Sequence, residues 1–129
     1  MAKQDRLAKA NELIETIAGC GRHFFLGKDR TACLELDRRG RVWFVDDYTK
    51  RRIYTHYAGR WRGFSHGGTL KDFIGSLRDY VVKGRQISIF YFVDSQPGLY
   101  PHHWGYGKDV SILQNKAIEL GIAPEVSND

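Results

Sequence analysis

The 129 residues carry 20 Lys and Arg against 15 Asp and Glu, a formal net charge of +5 with a pI near 9.3, and 42% are hydrophobic. That length supports one α+β-sized domain with a real core, and the composition is that of a soluble globular chain. No stretch approaches the roughly 20 apolar residues of a membrane-spanning helix, and Cys20 and Cys33 have no C-x-x-C spacing, which excludes a disulfide framework and points to reduced thiols.

In chain order, residues Lys3 to Ala18 place Leu7, Ala10, Leu13, Ile14, Ile17 and Ala18 at spacings of three and four, the period of an amphipathic helix. Gly19 and Gly21 end it, and Cys20 between them is expected to pack quietly beneath the helix end. The opening residues lack the unbroken apolar core of a signal peptide, so the expected location is the cytoplasm. His23-Phe24-Phe25-Leu26 then reads as a short edge strand.

A β-meander follows. Ala32–Asp37 and Arg41–Asp46 flank Arg38-Arg39-Gly40, a three-residue loop with glycine where a positive φ is needed. That loop length sets Leu36 opposite Val42 and Leu34 opposite Phe44 on one face, leaving Cys33, Glu35, Trp43 and Val45 on the other. A turn through Asp47–Arg51 leads into a third strand, Arg52–Tyr57, for which the sequence leaves open whether Ile53 or Tyr54 points inward.

After a glycine-rich connection, Ala58–Ser65, Thr69 is expected to cap a second helix with the stripe Leu70, Phe73, Ile74, Leu77, Tyr80 and Val81, closed by Gly84. Gln86–Val93 reads as a well-covered strand, Asp94–Gly107 as an ordered loop, and residues from Lys108 or Asp109 to Leu120 as a third helix before Gly121. The predicted architecture is a single α+β domain, an antiparallel β-meander sheet with about three helices on one face, frayed from about residue 125.

Charge is concentrated in the meander. Lys28–Arg62 contains ten cations and five anions, so it holds the whole formal excess, and seven aromatics lie between Trp43 and Phe64. Lys and Arg neutralise phosphate, and aromatic rings stack on unpaired bases. Arg39, Arg41, Trp43, Arg51, Arg52, Tyr54, Arg60, Trp61 and Arg62 are therefore the candidate surface for nucleic acid or an acidic protein, with Trp43, Tyr54 and Trp61 as the stacking rings. The competing reading makes the aromatics core and the arginines solvated turn residues.

His66-Gly67-Gly68-Thr69 and Gly105–Lys108 each precede a helix, where free backbone N–H groups can receive phosphate. They form the candidate nucleotide site, although neither has the Walker or dinucleotide spacing. Tyr100–Gly107 is either a rigid aromatic recognition loop or a place where Trp104 plugs the core. None of the five histidines stands at the i, i+4 spacing of a zinc helix, so no metal or other cofactor is expected. Asp46 or Asp47 with His56 is a possible proton-transfer pair, against a plain Asx turn at Asp46-Asp47. No nucleophile motif appears, and the reading leans away from an enzyme without excluding one.

The segments GRVWFVDDYTKRRIYTHY and GRWRGFSHGGTLKDFIGSLRDYV, then WGYG and a helix ending ELGI, resemble small proteins of phages and prophages of Gram-negative bacteria, across Ala10 to Ile122. The resemblance implies a phage accessory setting in the host cytoplasm and transfers no residue role. The expected function is a non-enzymatic binding protein that engages nucleic acid or a nucleic-acid-processing host complex. An inhibitor of a host defence enzyme and a small-nucleotide binder are the alternatives.

Overall fold

In the computed structural model, residues 1–92, 104–105 and 108–125 are described. Helix α1 covers Lys3–Ala18, strands β1, β2 and β3 cover Cys33–Leu36, Val42–Val45 and Arg52–Tyr54, and helices α2 and α3 cover Gly68–Lys83 and Asp109–Glu119. The three strands form an antiparallel sheet in the order β1-β2-β3, and the chain is an α+β protein. The first hairpin has the expected register, Leu34 opposite Phe44 and Leu36 opposite Val42, with Gly40 at φ +75° in the loop.

That register decides which face is covered. Leu34, Val42, Phe44 and Ile53 are buried and join one core with Leu13, Ile14 and Ile17 of α1 and Phe73, Ile74 and Leu77 of α2. Period-two alternation then puts Glu35, Trp43, Arg52 and Tyr54 on the opposite face. Ile53 is thus the inward residue of β3, and Trp43 faces Tyr54 across β2 and β3. Helix side chains tie to the sheet: Asn11 of α1 bonds Leu34 on the β1 edge, and Arg78 of α2 donates to the Thr55 carbonyl just past the end of β3.

Four expected elements differ, the first being the third strand, which ends at Tyr54 in a turn at residues 55 and 56 and does not reach Tyr57. His23–Leu26 is a turn with only an isolated bridge, Leu26 to Thr31. His23 and Phe25 take positive φ of 52° and 67°, which aims the Phe25 ring into the core against Phe44 and Phe73. Residues 86–92 are not a strand either: Ile87 makes a single bond to the Ile122 carbonyl, and Ile89–Phe92 is one 3-10 turn that buries Phe92. A short apolar run does not distinguish a strand from other buried backbone, and the edge at Leu34 was already occupied. Finally, α2 starts two residues earlier than expected, with Gly67 at its cap and Thr69 inside the first turn, exposed and capping nothing.

The remaining expectations for the second half are mixed. Gly84 ends α2 at φ +72°, and α3 is followed by Gly121 at φ +75°. Trp104 is 1% exposed, stacks 6.0 Å from Phe92 and lies 4.9 Å from Phe73, so it plugs the core. The rest of the loop expected over Asp94–Gly107, including Tyr100, His102 and His103, lies outside the described residues except for Gly105.

Candidate functional site

The face of the sheet away from the helices carries a compact Arg–aromatic group. The Trp43 and Tyr54 rings are 5.2 Å apart and tilted by 39°. Arg52 lies 4.4 Å over the indole and reaches Glu35 at 3.4 Å, so its guanidinium bridges Trp43 to the far strand. Arg41 sits 5.4 Å from the Tyr54 ring and 5.9 Å from Trp43, held by Asp37 at 2.7 Å. Each cation–π contact at such half-exposed positions contributes about 0.5–1 kcal/mol. The guanidinium planes extend the aromatic surface, and bases stack on both kinds of plane.

Asp37 organises this group from below. Its carboxylate accepts from the Trp43 indole N–H at 2.9 Å, from the Arg41 side chain, and from the backbone N–H of Arg39 and Arg41. The Trp43 bond, with those from Arg41 and Arg39, holds the carboxyl well below the usual carboxylate range despite the opposing effect of burial. One anion therefore fixes both the hairpin loop and the rotamer of the principal ring.

The expected site residues do not all converge. Arg41, Trp43, Arg52 and Tyr54 come together, and Arg39 is exposed at the adjoining hairpin tip. Arg51 is exposed and lays its stem against Gly63, whose φ of +86° and lack of a Cβ make room for it. Arg60 and Arg62 are exposed in the connection to α2. Trp61 stands apart from the stacking group. It is buried on the core side, against Phe64, its indole N–H donates to the Tyr57 carbonyl, and Lys71 lies 5.2 Å over its ring.

A second group was only half visible in the sequence. His56 forms no pair with Asp46 or Asp47. It is exposed beside Tyr54, and partial burial with the nearby Arg78 cation pushes its imidazole below the ordinary value. The histidine that meets a carboxylate is His66, whose Nε2 is 2.6 Å from Asp47 Oδ1, both side chains being largely buried. Phe25, Phe64 and Phe24 surround the imidazole at 5.0, 5.5 and 6.4 Å. The hint was the histidine just before a helix; the 19-residue separation from Asp47 has no local sequence signature.

Asp46 is the structural member of this region. Its buried carboxylate accepts from the backbone N–H of Tyr48, Thr49 and Ser65 and from the hydroxyls of Thr49 and Ser65. Burial opposes its ionisation, but these bonds prevail and hold the carboxyl below its ordinary value. The Asx turn expected at Asp46-Asp47 is thus present, extended to pin the chain before α2. Asp46, Asp47 and His66 bring ligand-type atoms within 4.8 Å of one another. Asp46 already spends both oxygens on five donors, so the triplet acts as a hydrogen-bonded anchor.

His66 also lines a cavity of about 230 Å³ with Arg60, Trp61, Phe64, Gly67, Gly68 and Lys71. Lys108 is an exposed residue at the start of α3 and is not part of that lining, so the two glycine-rich stretches do not build one pocket there. Cys20 is buried, and burial together with the Asp109 carboxylate pushes its thiol up, the opposite of a reactive cysteine.

The model of the YoqU family matches residues 1–128. The chain belongs to the YoqU family. One similar protein is the SPbeta prophage-derived uncharacterized protein YoqU of Bacillus subtilis (strain 168), 30% identical over 124 residues, covering 94% of this chain and 85% of the relative. The prophage part of the resemblance therefore holds, while its Gram-negative part finds no support in this Gram-positive relative. No solved structure matches the YoqU-family chain. Among the described residues, no helix is long and apolar enough to cross a membrane.

Proposed function

We propose that this YoqU-family protein is a non-enzymatic binding module of a prophage accessory type, which engages single-stranded nucleic acid through the sheet face opposite α1 and α2. The observation that carries this reading is the Trp43–Tyr54 pair framed by the guanidinium groups of Arg41 and Arg52. Unpaired bases stack on such planes, at about 1–3 kcal/mol per base. Arg39 and Arg51, exposed at neighbouring turns, extend the positive charge along the path of a backbone. A strand approaching Arg41 and Arg52 competes with Asp37 and Glu35 for them, which favours a ligand of high charge density over a single carboxylate.

Fluorescence anisotropy with labelled single-stranded and duplex oligonucleotides tests the reading. If Arg39, Arg41, Arg51 and Arg52 each neutralise a phosphate, single-strand affinity falls about 50-fold between about 50 and 200 mM salt. Single strands should bind more tightly than duplexes, because only unpaired bases reach the Trp43 ring. No binding at the lower salt removes nucleic acid as the direct partner and turns the same basic face toward an acidic surface on a host protein. Co-purification of a host protein that survives nuclease treatment identifies that alternative.

A further inference from the structure

The cavity beside His66 has a one-sided chemistry. Among the described residues, its three ionisable lining residues, Arg60, His66 and Lys71, are all bases, and no carboxylate lines it. Trp61 and Phe64 form its walls, fixed by the Trp61 bond to the Tyr57 carbonyl and by Phe64 against Phe44. Lys71 is steadied over Trp61 and spends one donor on the Gly59 carbonyl at 3.3 Å, which leaves two N–H bonds for a ligand. Behind the imidazole, the buried Asp47 carboxylate takes up Nε2, so Nδ1 is the ring nitrogen left for an occupant.

A buried Asp–His pair adds little to stability on its own, since desolvation offsets the attraction between the partners. It does hold the imidazole in one orientation, as a ligand-binding group requires. The volume, about 230 Å³, is below the range of about 300–1,000 Å³ usual for sites that enclose a drug-sized molecule. It suits one compact anionic group at the end of a larger molecule. Three bases also suit a dianion: a phosphate monoester carries close to two charges near neutral pH, whereas a phosphodiester carries one and has two substituents to accommodate.

We propose that this cavity binds a phosphate monoester, carried either by a mononucleotide or by the 5′-phosphorylated end of an oligonucleotide. Lys71 and Arg60 supply charge, His66 donates to the phosphate through Nδ1–H while its Nε2–H is held by Asp47, and Asp47 is the positioning residue. The site is separate from the sheet face and stands whether or not that face binds nucleic acid.

The test compares 5′-phosphorylated and 5′-hydroxyl forms of one short labelled oligonucleotide, with calorimetric titration of adenosine monophosphate and of inorganic phosphate alongside. The added phosphate should tighten oligonucleotide binding about tenfold, the worth of a charge-assisted hydrogen bond. Lys71→Ala should abolish that preference without changing affinity for the 5′-hydroxyl strand. Trp43→Ala should weaken both strands equally, which separates this site from the sheet face. If neither strand binds, the mononucleotide titration still decides the cavity. Mononucleotide binding alone assigns the small molecule as the source, and a preference confined to the oligonucleotide assigns the strand end.

His66 is read directly by ¹⁵N NMR. Inorganic phosphate or the mononucleotide should shift its Nδ1 resonance in the wild-type protein, and Asp47→Asn should weaken this response while circular dichroism stays unchanged. Equal affinity for the two strands, no mononucleotide heat and an unmoved His66 resonance would together overturn the proposal.

Discussion

Asn11 and Leu34 make a two-point junction between α1 and the edge of the sheet. The Asn11 amide donates to the Leu34 carbonyl at 2.9 Å, and its oxygen accepts from the Leu34 N–H at 2.7 Å. A side-chain amide thus imitates the next strand, satisfying both outward backbone groups of Leu34. Unpaired edges invite pairing with other chains, so the junction both orients α1 and closes that edge.

Asn11→Ala should therefore cost about 2–3 kcal/mol, since two half-buried backbone groups lose their partners. The urea midpoint should fall accordingly, and light scattering on concentration should show increased self-association. Affinity for oligonucleotides should be unchanged, because the junction lies away from the Trp43 face.

Asp46 gives the fold a defined sensitivity to acid. Its folded-state carboxyl lies below the ordinary Asp value of about 3.9. Its contribution is therefore complete above that value and is lost as pH falls through the folded-state pKa. Asp37 has the same sign. Asp46→Asn should lower stability at pH 7 by about 2–3 kcal/mol, because an amide presents a donor to groups that already donate. Urea midpoints taken from pH 7 down to about 2 should show a flatter acid limb in the variant.

Gly27 is a steric partner of the Asp47 backbone. A Cβ at position 27 would stand 2.3 Å from the Asp47 carbonyl oxygen, which cannot rotate away as a side chain can. Gly27→Ala should destabilise by about 1–3 kcal/mol and move Asp47 relative to His66. A changed His66 ¹⁵N resonance in an otherwise folded variant would report that displacement.

The fold and the site were legible to different depths. The α1 period, the Arg38-Arg39-Gly40 loop and the resulting register are local, and they sufficed to put Trp43 opposite the core face. Residues 86–92 misled because an apolar run records burial without recording backbone shape. His23–Leu26 misled for a related reason: nothing in its composition announces a positive φ at Phe25, which arises because the ring is drawn into the core. The Arg–aromatic cluster was visible as composition, but the separation of Trp61 from Trp43 required the chain to fold back so that Phe64 meets Phe44. The Asp47–His66 bond depends on the same return and was missed in favour of His56.

Binding of unpaired bases to the Trp43 face has a direct readout in the tryptophans. Trp61 and Trp104 are buried, whereas Trp43 is half-buried on the sheet face opposite α1 and α2. Titrating the protein with single-stranded oligonucleotide at about 50 mM salt should quench its intrinsic emission. Trp43→Phe should remove the quench while retaining part of the affinity, and Trp43→Ala with Arg52→Ala should weaken binding at least tenfold, about 1.4 kcal/mol. Binding that persists undiminished in the double variant, or that leaves Trp43 emission unchanged, would contradict the account.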